Sequence, residues 1–550
     1  MSNIEEKIKQ AAGQAVKQLY DIDPQPAQLM VEIPKDPAMG DFSTNIAMRL
    51  AKPLRRNPRE IAQEIADAMK GLLPQAEQIT VANPGFINLR LAKTALADII
   101  TGIIAQGAQY GHNQSGHGQR ILVEYVSANP TGDLHCGHAR GAAWGDSVTR
   151  LLKASGYDCL REYYINDGGH QIEMLGESLI ARYCEHFGQS YPLPEDGYHA
   201  QDVIDIAEQI AADDGDRWLT ADPARRLAYF KEKGSQLELD KIKRDLDLYR
   251  VGFDSWIHEK FFYQDDAARI NKVLDKMKDM GLTYEQDGAL WFRSTAYGDD
   301  KDRVLRKSDG SLTYLTPDIA NHLYKLERGY DHLVDLWGSD HHSYVVRMTC
   351  ALEAMGYPKD TLQVDLIQMV RMMENGQEVK MSKRTGNAIS LRELCEDVGV
   401  DAARWFFVSK DVGTHMDFDM DLARSQTNDN PVYYVQYAHA RMCSIIKNAA
   451  AFTAPAHYDR LTDPKEIELL KHISGFADVV ADAAATRMPN KICNFVLTLA
   501  KDFHSFYVTC KVNLPDDPQL ANQRLGLIHA VRITMANALD LIGIQAVEHM

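Results

Sequence analysis

The sequence predicts a multidomain α/β protein: a parallel-sheet domain between an N-terminal α+β domain and a C-terminal all-α domain. Three observations carry that expectation. The chain has 550 residues, several times the roughly 150 of a typical domain. A strand, a helix and a strand follow one another between Ile121 and Ile165, a βαβ unit that requires parallel strands and a right-handed crossover. From Ser425 to Met550 the periodicity is helical, with few strand signals.

The elements follow in order. Ile4, Ile8, Ala12, Ala15 and Leu19 recur at helical spacing, predicting an amphipathic helix over 3–20. A second helix follows Asp41, with Ile46, Leu50 and Ala51 on one face. Ile79 and Val81, then Phe86, Ile87, Leu89 and Leu91, predict two short strands around Pro84-Gly85. The linker-like stretch Gln106–Gln119 closes an N-terminal domain over 1–112. Ile121–Val126 is a nearly all-apolar strand. Ala139, Ala142, Ala143, Val148, Leu151 and Leu152 mark a helix stopped by Gly156, and Cys159–Ile165 is the second strand. Leu312–Leu315, Leu333–Trp337 and Val364–Val370 read as further strands, with helices over about 317–328 and 341–355. Residues 113–424 thus hold two α/β halves separated by a helical insertion at about 171–290, and 425–550 form the helical domain. No internal repeat or low-complexity tract interrupts them.

Hydrophobic residues make up 45% and charged residues 25%, which excludes a disordered or fibrous chain. Sixty Lys+Arg stand against 77 Asp+Glu, a net charge of −17, and that sum alone argues against nucleic-acid binding. Distribution matters more than the sum. Between 195 and 222, Glu195, Asp196, Asp202, Asp205, Glu208, Asp213, Asp214, Asp216 and Asp222 face a single base, Arg217, most plainly a solvated acidic surface. Arg49, Lys52, Arg55, Arg56 and Arg59 make a compact basic stretch elsewhere, suited to phosphates. The opening residues lack the apolar core of a signal peptide, and no apolar run is long enough to span a bilayer. Eight scattered cysteines without a CxxC pair suit free thiols in a reducing compartment. These features predict a cytoplasmic protein that does not associate with membranes.

Two segments carry chemistry. Glu124-Tyr-Val-Ser127-Ala-Asn129-Pro-Thr-Gly-Asp-Leu-His135-Cys136-Gly137-His138 lies between the first strand and its helix. Ligands bind at the carboxyl ends of strands in open α/β sheets, and a helix start attracts phosphate. Gly137 would let a nucleotide lie against the backbone, and two imidazole donors would stabilise charge on its phosphates. HxxH also suits zinc, although no third ligand sits at a recognisable spacing, or a plain helix cap. The second segment, Gly376-Gln-Glu-Val-Lys380-Met381-Ser382-Lys383-Arg384-Thr-Gly-Asn387, offers two mobile ammonium groups to a polyphosphate. Alone it reads as a solvated basic turn. HxGH and KMSK roughly 240 residues apart, both at strand ends of one sheet, form a specific pair.

HCGH and KMSKR resemble the signature segments of class I aminoacyl-tRNA synthetases. VEYVSANPTGDLHCGHARGAAWGD, REYYINDGG, SLTYLTPDIANH, WGSDHH and NPVYYVQYAHAR are similar to the arginyl branch of that family, and the resemblance runs through nearly the whole chain. Cys136 departs from the aliphatic residue of many members, a small apolar exchange. The resemblance implies a Rossmann-like catalytic domain over 113–424 and an anticodon-binding module over 425–550. It implies ATP-dependent attachment of L-arginine to tRNA(Arg) through an arginyl-adenylate, releasing pyrophosphate and AMP, with Mg²⁺ accompanying ATP and no dedicated protein metal site. Catalysis then falls to His135, His138, Lys380 and Lys383. ATP is expected along His135, Gly137, His138, Gly338, Asp340, His341, Met381, Ser382 and Lys383. Arginine is expected at Glu124, Ser127, Asn129, His135, Tyr314, Asp318 and His342, with Asp318 pairing the guanidinium. Without the family, Asp318 reads equally as a helix N-cap, and Asp340-His341-His342 as the cap of the next helix.

The tRNA is expected at Asn83, Phe86 and Asn88 of the D-loop-contacting N-terminal domain, and at Tyr433, Tyr437 and Arg441 of the helical domain. Phe86, Tyr433 and Tyr437 suit core positions equally well. Two rivals share parts of this pattern. A small-molecule nucleotidyltransferase of the HxGH type would not need the flanking domains, and a non-catalytic tRNA-binding relative would not need both signature segments. No dimer seam is evident, so the chain is expected to be a monomer.

Overall fold

The computed structural model describes residues 4–550 apart from 26–27, 33, 35, 93–96, 98, 380–387 and 450–451. The chain opens with helix α1 (Ile4–Tyr20), β1 (Val31–Glu32), β2 (Phe42–Thr44), α2 (Ile46–Leu54), α3 (Pro58–Leu72), β3 (Ala76–Ala82) and β4 (Phe86–Leu91). The strands form an antiparallel sheet in the order β1-β2-β4-β3. Ile8, Ala12, Ala15 and Val16 of α1 and Ile61, Ile65 and Met69 of α3 are buried in its core. Asn57 caps α3 by accepting from the Arg59 amide at 2.9 Å, with Pro58 at the first helical position.

Helix α4 (Ile99–Gln106) leads to β5 (Arg120–Glu124), α5 (Cys136–Ala154) and β6 (Asp158–Ile165). Next come α6 (Gly169–His186), α7 (Gln201–Asp214), α8 (Pro223–Leu248), β7 (Ser255–His258) and α9 (Gln264–Asp279). β8 (Thr283–Gln286), β9 (Ala289–Phe292) and β10 (Arg303–Arg306) form a small antiparallel sheet. Then follow α10 (Leu315–Glu327), β11 (His332–Gly338), α11 (His342–Ala354) and β12 (Leu362–Ile367). β12-β11-β5-β6-β7 is a five-stranded sheet, parallel throughout. α5 is buried nearly all round and packs tightly on this sheet. A Cβ at Gly145 would stand 2.4 Å from the Tyr125 ring, so glycine is required there by close approach.

Three expectations need correction. The range 171–290 is not uniformly helical: α6, α7 and α8 have their own core of Leu175, Leu179, Tyr183, Val203, Ile210 and Phe230, but β7 belongs to the main parallel sheet and β8 and β9 to the small one. Four-residue strands are too short to show a period. The strand expected at Leu312–Leu315 is a turn entering α10; only Leu312 pairs, with Arg306. Short apolar runs do not distinguish a strand from a helix start. The strand expected at Val364–Val370 breaks at Gln368-Met369, where the Gln368 amide donates to the Val412 carbonyl at 3.0 Å.

After β12 come β13 (Val370–Glu374), β14 (Gln377–Glu378), α12 (Leu391–Val398), α13 (Val400–Val408), β15 (Met416–Asp419) and α14 (Met420–Arg424). The final helices are α15 (Pro431–Asn448), α16 (Pro464–Ser474), α17 (Phe476–Thr486), α18 (Asn490–Thr509) and α19 (Pro518–Leu541). They grip the rest of the molecule at several points. Lys471 pairs with Asp41 at 2.8 Å, and Arg487 with Asp365 of the edge strand β12 at 2.8 Å. Asn537 donates to the carbonyls of Gly107 and Tyr110 at 2.9 and 2.8 Å. Among the described residues, no helix is long and apolar enough to cross a membrane.

Candidate active site

A cavity of about 870 Å³ opens at the carboxyl ends of the parallel strands, between the loop after β5, the start of α5, α10 and the loop after β11. On one side, His135 caps α5. Its Nδ1 accepts from the Gly137 amide at 3.1 Å, while His138 Nδ1 accepts from the His135 amide at 3.3 Å. The rings stack with centroids 3.9 Å apart. A Cβ at Gly137 would lie 2.9 Å from the His135 ring, so glycine makes this stacked cap possible. Because both Nδ1 atoms accept, the proton of each neutral ring sits on Nε2. Burial lowers both pKa values, His138 to about 3 with help from its neighbour, so both rings are neutral at pH 7. The pair therefore offers two Nε2–H donors beside the free amides of a helix start.

The opposite wall is acidic. Glu124, Asp133, Asp318, Asp335 and Asp340 line the cavity, and no Lys or Arg does among the described residues. Three of these carboxylates are already matched: Lys241 contacts Asp133 at 2.6 Å, and one lysine serves Glu124 and Asp335. Lys325, fully buried, pairs with Glu124 at 2.5 Å and Asp335 at 3.2 Å, and Asp335 also meets His322 Nε2 at 2.8 Å. Burial would raise the Asp335 pKa, but Lys325 and His322 win and hold it at about 2. Glu124 is raised by burial despite Lys325, and it accepts from Ser127 Oγ at 3.0 Å. Ser127 and Val126 both have positive φ, at 40° and 68°, unusual for non-glycine residues and above all for a β-branched one. That turn is what brings Ser127 Oγ back to Glu124 and to the Tyr164 amide at 3.1 Å.

Asp318, by contrast, has no ion-pair partner among the described residues. Its carboxylate accepts from the Tyr344 hydroxyl, and burial raises its pKa. Sequence reasoning missed the carboxylate beside it. Glu259 follows β7, is buried, and is pushed up to about 7 by burial, then by the charges of Asp318 and Asp167. A Cβ at Gly168 would sit 3.0 Å from its Oε2. The available signal was an acid directly after a short β-prone run, Ser255–His258, which the helical assignment of 171–290 concealed.

The cavity lining also includes the sequence candidates Asn129, Gly338 and His341. Asn129 donates to Gln171 Oε1. Two candidates lie apart: Tyr314 is 81% exposed, and His342 is exposed at the start of α11. Lys380, Met381, Ser382 and Lys383 lie outside the described residues. Their flank is anchored, because the Cys136 amide donates to Ile389 O at 3.2 Å and the Leu391 amide to Leu134 O at 2.6 Å. The segment after 387 therefore returns to the histidine cap itself.

In the N-terminal domain Asn83 is exposed and Phe86 half-buried. Asn88 is 6% exposed and its carbonyl accepts from Ser43 Oγ at 2.8 Å, so it is a core residue. In α15, Tyr433 and Tyr437 are half-exposed with parallel rings 6.5 Å apart. Arg441 lies over Tyr507 at 5.0 Å and donates to the Tyr437 hydroxyl at 3.3 Å. Tyr437, Arg441, Tyr507, Asn513 and the terminal Met550 line a second cavity of about 1140 Å³.

This architecture matches known families along most of its length. The model of the class I tRNA synthetase (R) catalytic domain covers residues 99–419, and the DALR anticodon binding domain covers 435–550. The chain is thus a class I aminoacyl-tRNA synthetase. The arginyl tRNA synthetase N-terminal domain covers 2–91. The arginine–tRNA ligase of Bacillus subtilis is 48% identical over 95% of this chain and 94% of its own length. That of Geobacillus thermodenitrificans is 48% identical over 100% and 98%. The chain belongs to the arginyl-tRNA synthetase family. The Thermus thermophilus arginyl-tRNA synthetase structure covers 99% of this chain and 100% of its own, with a TM-score of 0.77 at 24% identity, a likeness of fold.

Proposed function

We propose that the acidic cavity is where this arginine–tRNA ligase activates its amino acid, and that ATP lies along the histidine cap of α5. The enzyme joins L-arginine to tRNA(Arg) in two steps. The arginine carboxylate attacks the α-phosphorus of ATP, displacing pyrophosphate, and a terminal ribose hydroxyl of the tRNA then attacks the activated carbonyl, displacing AMP. The observation that carries the site assignment is a cavity with five carboxylates and no described cation. Since Lys325 and His322 already match Glu124 and Asp335, Lys241 matches Asp133 and Asp340 is exposed, the buried carboxylate left without a cation among the described residues is that of Asp318, with Glu259 behind it. A guanidinium with five fixed donors suits that pair of acids, whereas lysine would leave buried acceptors unpaired, a discrimination of about 10⁴. Glu124, Ser127 and Asn129 lie at the β5 end, where the amino-acid backbone would sit beside His135. Tyr314 would reach the substrate only by swinging in from solvent.

At the other end, Nε2–H of His135 and His138 would donate to phosphate oxygens as charge moves onto the leaving pyrophosphate. Lys380 and Lys383 would add ammonium groups from the segment anchored at Ile389–Leu391. Gly338, Asp340, Met381, Ser382 and His341 complete the proposed nucleotide site. Among the described residues no cluster of three or more His, Cys, Asp or Glu could hold a metal. Mg²⁺ would accompany ATP at its phosphates. Substitution of Asp318 by Asn is expected to raise the arginine KM at least about 100-fold in arginine-dependent pyrophosphate–ATP exchange, with the ATP KM within about threefold. A normal arginine KM would remove Asp318 from the pocket.

The flanking domains suit the tRNA. Phe86 and Asn83 stand at the β3–β4 turn, where a splayed base could stack. Tyr433, Tyr437 and Arg441 beside the second cavity present rings and a guanidinium to unstacked bases. Phe86→Ala should weaken tRNA affinity by about 1–3 kcal/mol in a filter-binding titration, with arginine KM unchanged; full affinity would reject this contact. Eight unpaired cysteines, six of them buried, fit a cytoplasmic setting. We propose that the enzyme acts as a monomer, which sedimentation velocity would test.

A further inference from the structure

Helix α8 follows the acidic stretch 195–222 within the insertion, and one face of it points at the active site. Glu238, Lys241 and Asp245 lie three and four residues apart and so share that face. Lys241 Nζ contacts Asp133 at 2.6 Å, Asp202 of α7 at 3.4 Å and Glu238 at 3.8 Å. Asp133 lines the cavity two residues before His135. The same loop is seated on α7, since a Cβ at Gly132 would lie 3.6 Å from Asp202 Oδ2. One turn further along α8, Asp245, itself 1% exposed, binds the guanidinium of Arg392. Arg392 stands in the first turn of α12, next to Leu391, whose amide bonds Leu134 O. One helix face thus holds the loop that leads into the histidine cap and the helix that ends the Lys380–Lys383 segment. Apolar packing reinforces the arrangement: Leu239, Ile242 and Leu246 of α8 share a core with Leu391, Leu394 and Cys395.

We propose that Lys241 and Asp245 are positioning residues for adenylate formation, bracing the loop that leads into the histidine cap and the start of α12 against each other from the inserted helices. This rests on the assignment of ATP to the histidine cap. Neither side chain touches the reacting atoms; one holds the loop that precedes His135 and the other the first turn of α12. Angstrom-scale misplacement of such groups costs about 100-fold in rate. The brace lies at the phosphate end of the cavity, away from Asp318, so its loss should act on ATP and on kcat and spare arginine.

The test is pyrophosphate–ATP exchange on Lys241→Met, Lys241→Arg, Asp133→Asn and Asp245→Asn in the full-length enzyme, with thermal unfolding in parallel. Lys241→Met should lower kcat about 10- to 100-fold and raise the ATP KM, with arginine KM within about twofold. Lys241→Arg should recover most of the loss. Lys241→Met and Asp133→Asn remove one tie from its two ends, so the double variant should be no worse than the poorer single. A folded Lys241→Met with normal kcat and ATP KM would overturn the proposal, as would equal damage to arginine and ATP KM that merely tracks lost stability. Should Lys241→Met not fold, wild-type exchange in Asp133→Asn overturns it equally. An Asp318→Asn enzyme with unaltered arginine KM would sink the pocket assignment instead, so the two failures are distinguishable.

Discussion

Glu259 and the histidine pair show how residue-scale electrostatics sets the chemistry. His135 and His138 are pinned as neutral donors by backbone amides on their Nδ1 atoms and by burial, so both keep that role at pH 7 and above. Glu259 behaves oppositely. With a pKa near 7, it is largely ionised at pH 8 and largely protonated at pH 6, while the arginine guanidinium stays charged throughout. Arginine binding should therefore weaken as pH falls through 7. In the wild-type enzyme, kcat/KM for arginine is expected to drop up to about tenfold from pH 8 to pH 6. Glu259→Gln should have a lower value at pH 8 and a flatter profile. A Gln variant that keeps the wild-type slope would show that another group titrates. Neither Glu259 nor Lys325 was legible from pattern alone. Each takes its role from partners distant in sequence, Asp318 for one and Glu124 with Asp335 for the other, which meet only once the sheet has assembled.

At the scale of elements, what could be read in advance follows the length of the signal. The long helices α1, α5 and α19 repeat their apolar positions over several turns, and HxGH and KMSK are local patterns whose spacing survives in any fold. The four-residue β7 and the turn before α10 carry no such redundancy, and their character is decided by the strands and helices they dock on. Helix α8 shows a cost that no periodicity reveals. Glu238 is fully buried with Asp202 and Asp133 nearby, and burial raises its pKa from 4.5 to about 8 despite Lys241 at 3.8 Å. A carboxyl raised in the folded state is neutral in both states below pH 4.5, so it costs nothing there. The penalty grows as pH rises from 4.5 toward 8, because the unfolded chain ionises freely and the folded one does not. Glu238→Gln should thus stabilise the enzyme by about 1–3 kcal/mol at pH 8.5 and leave stability at pH 4 nearly unchanged. Urea unfolding at the two pH values checks this, and an equal gain at both would assign the effect to packing instead of charge.

Across the whole molecule, the helical domain and the parallel sheet are joined through buried guanidinium groups, and the most enclosed of these is Arg404 in α13. Its Nη2 donates to Asp146 of α5 at 2.6 Å, its Nη1 to Tyr249 O at 3.0 Å and its Nε to Ile542 O at 3.1 Å, with no solvent exposure. Gly543 follows with φ of 68°, and a Cβ there would stand 2.2 Å from Nη2. The chain leaving α19 therefore wraps the guanidinium and is held in a conformation that favours glycine. Asp146 keeps Arg150 at 2.8 Å if Arg404 is lost, so its charge is not stranded, but two backbone carbonyls at the domain junction are. Arg404→Met is expected to destabilise the protein by about 3–5 kcal/mol. Arg404→Lys should recover little, because one ammonium cannot span three acceptors set by a planar fork. Gly543→Ala should destabilise from the other side of the same contact, and its cost should not add fully to that of Arg404→Met, since a flexible methionine relieves the clash. Denaturant unfolding of the two singles and the double variant measures this coupling. Strict additivity would mean that Gly543 is required by its own backbone angle alone, and that the guanidinium closes the domain junction without help from the shape of the chain around it.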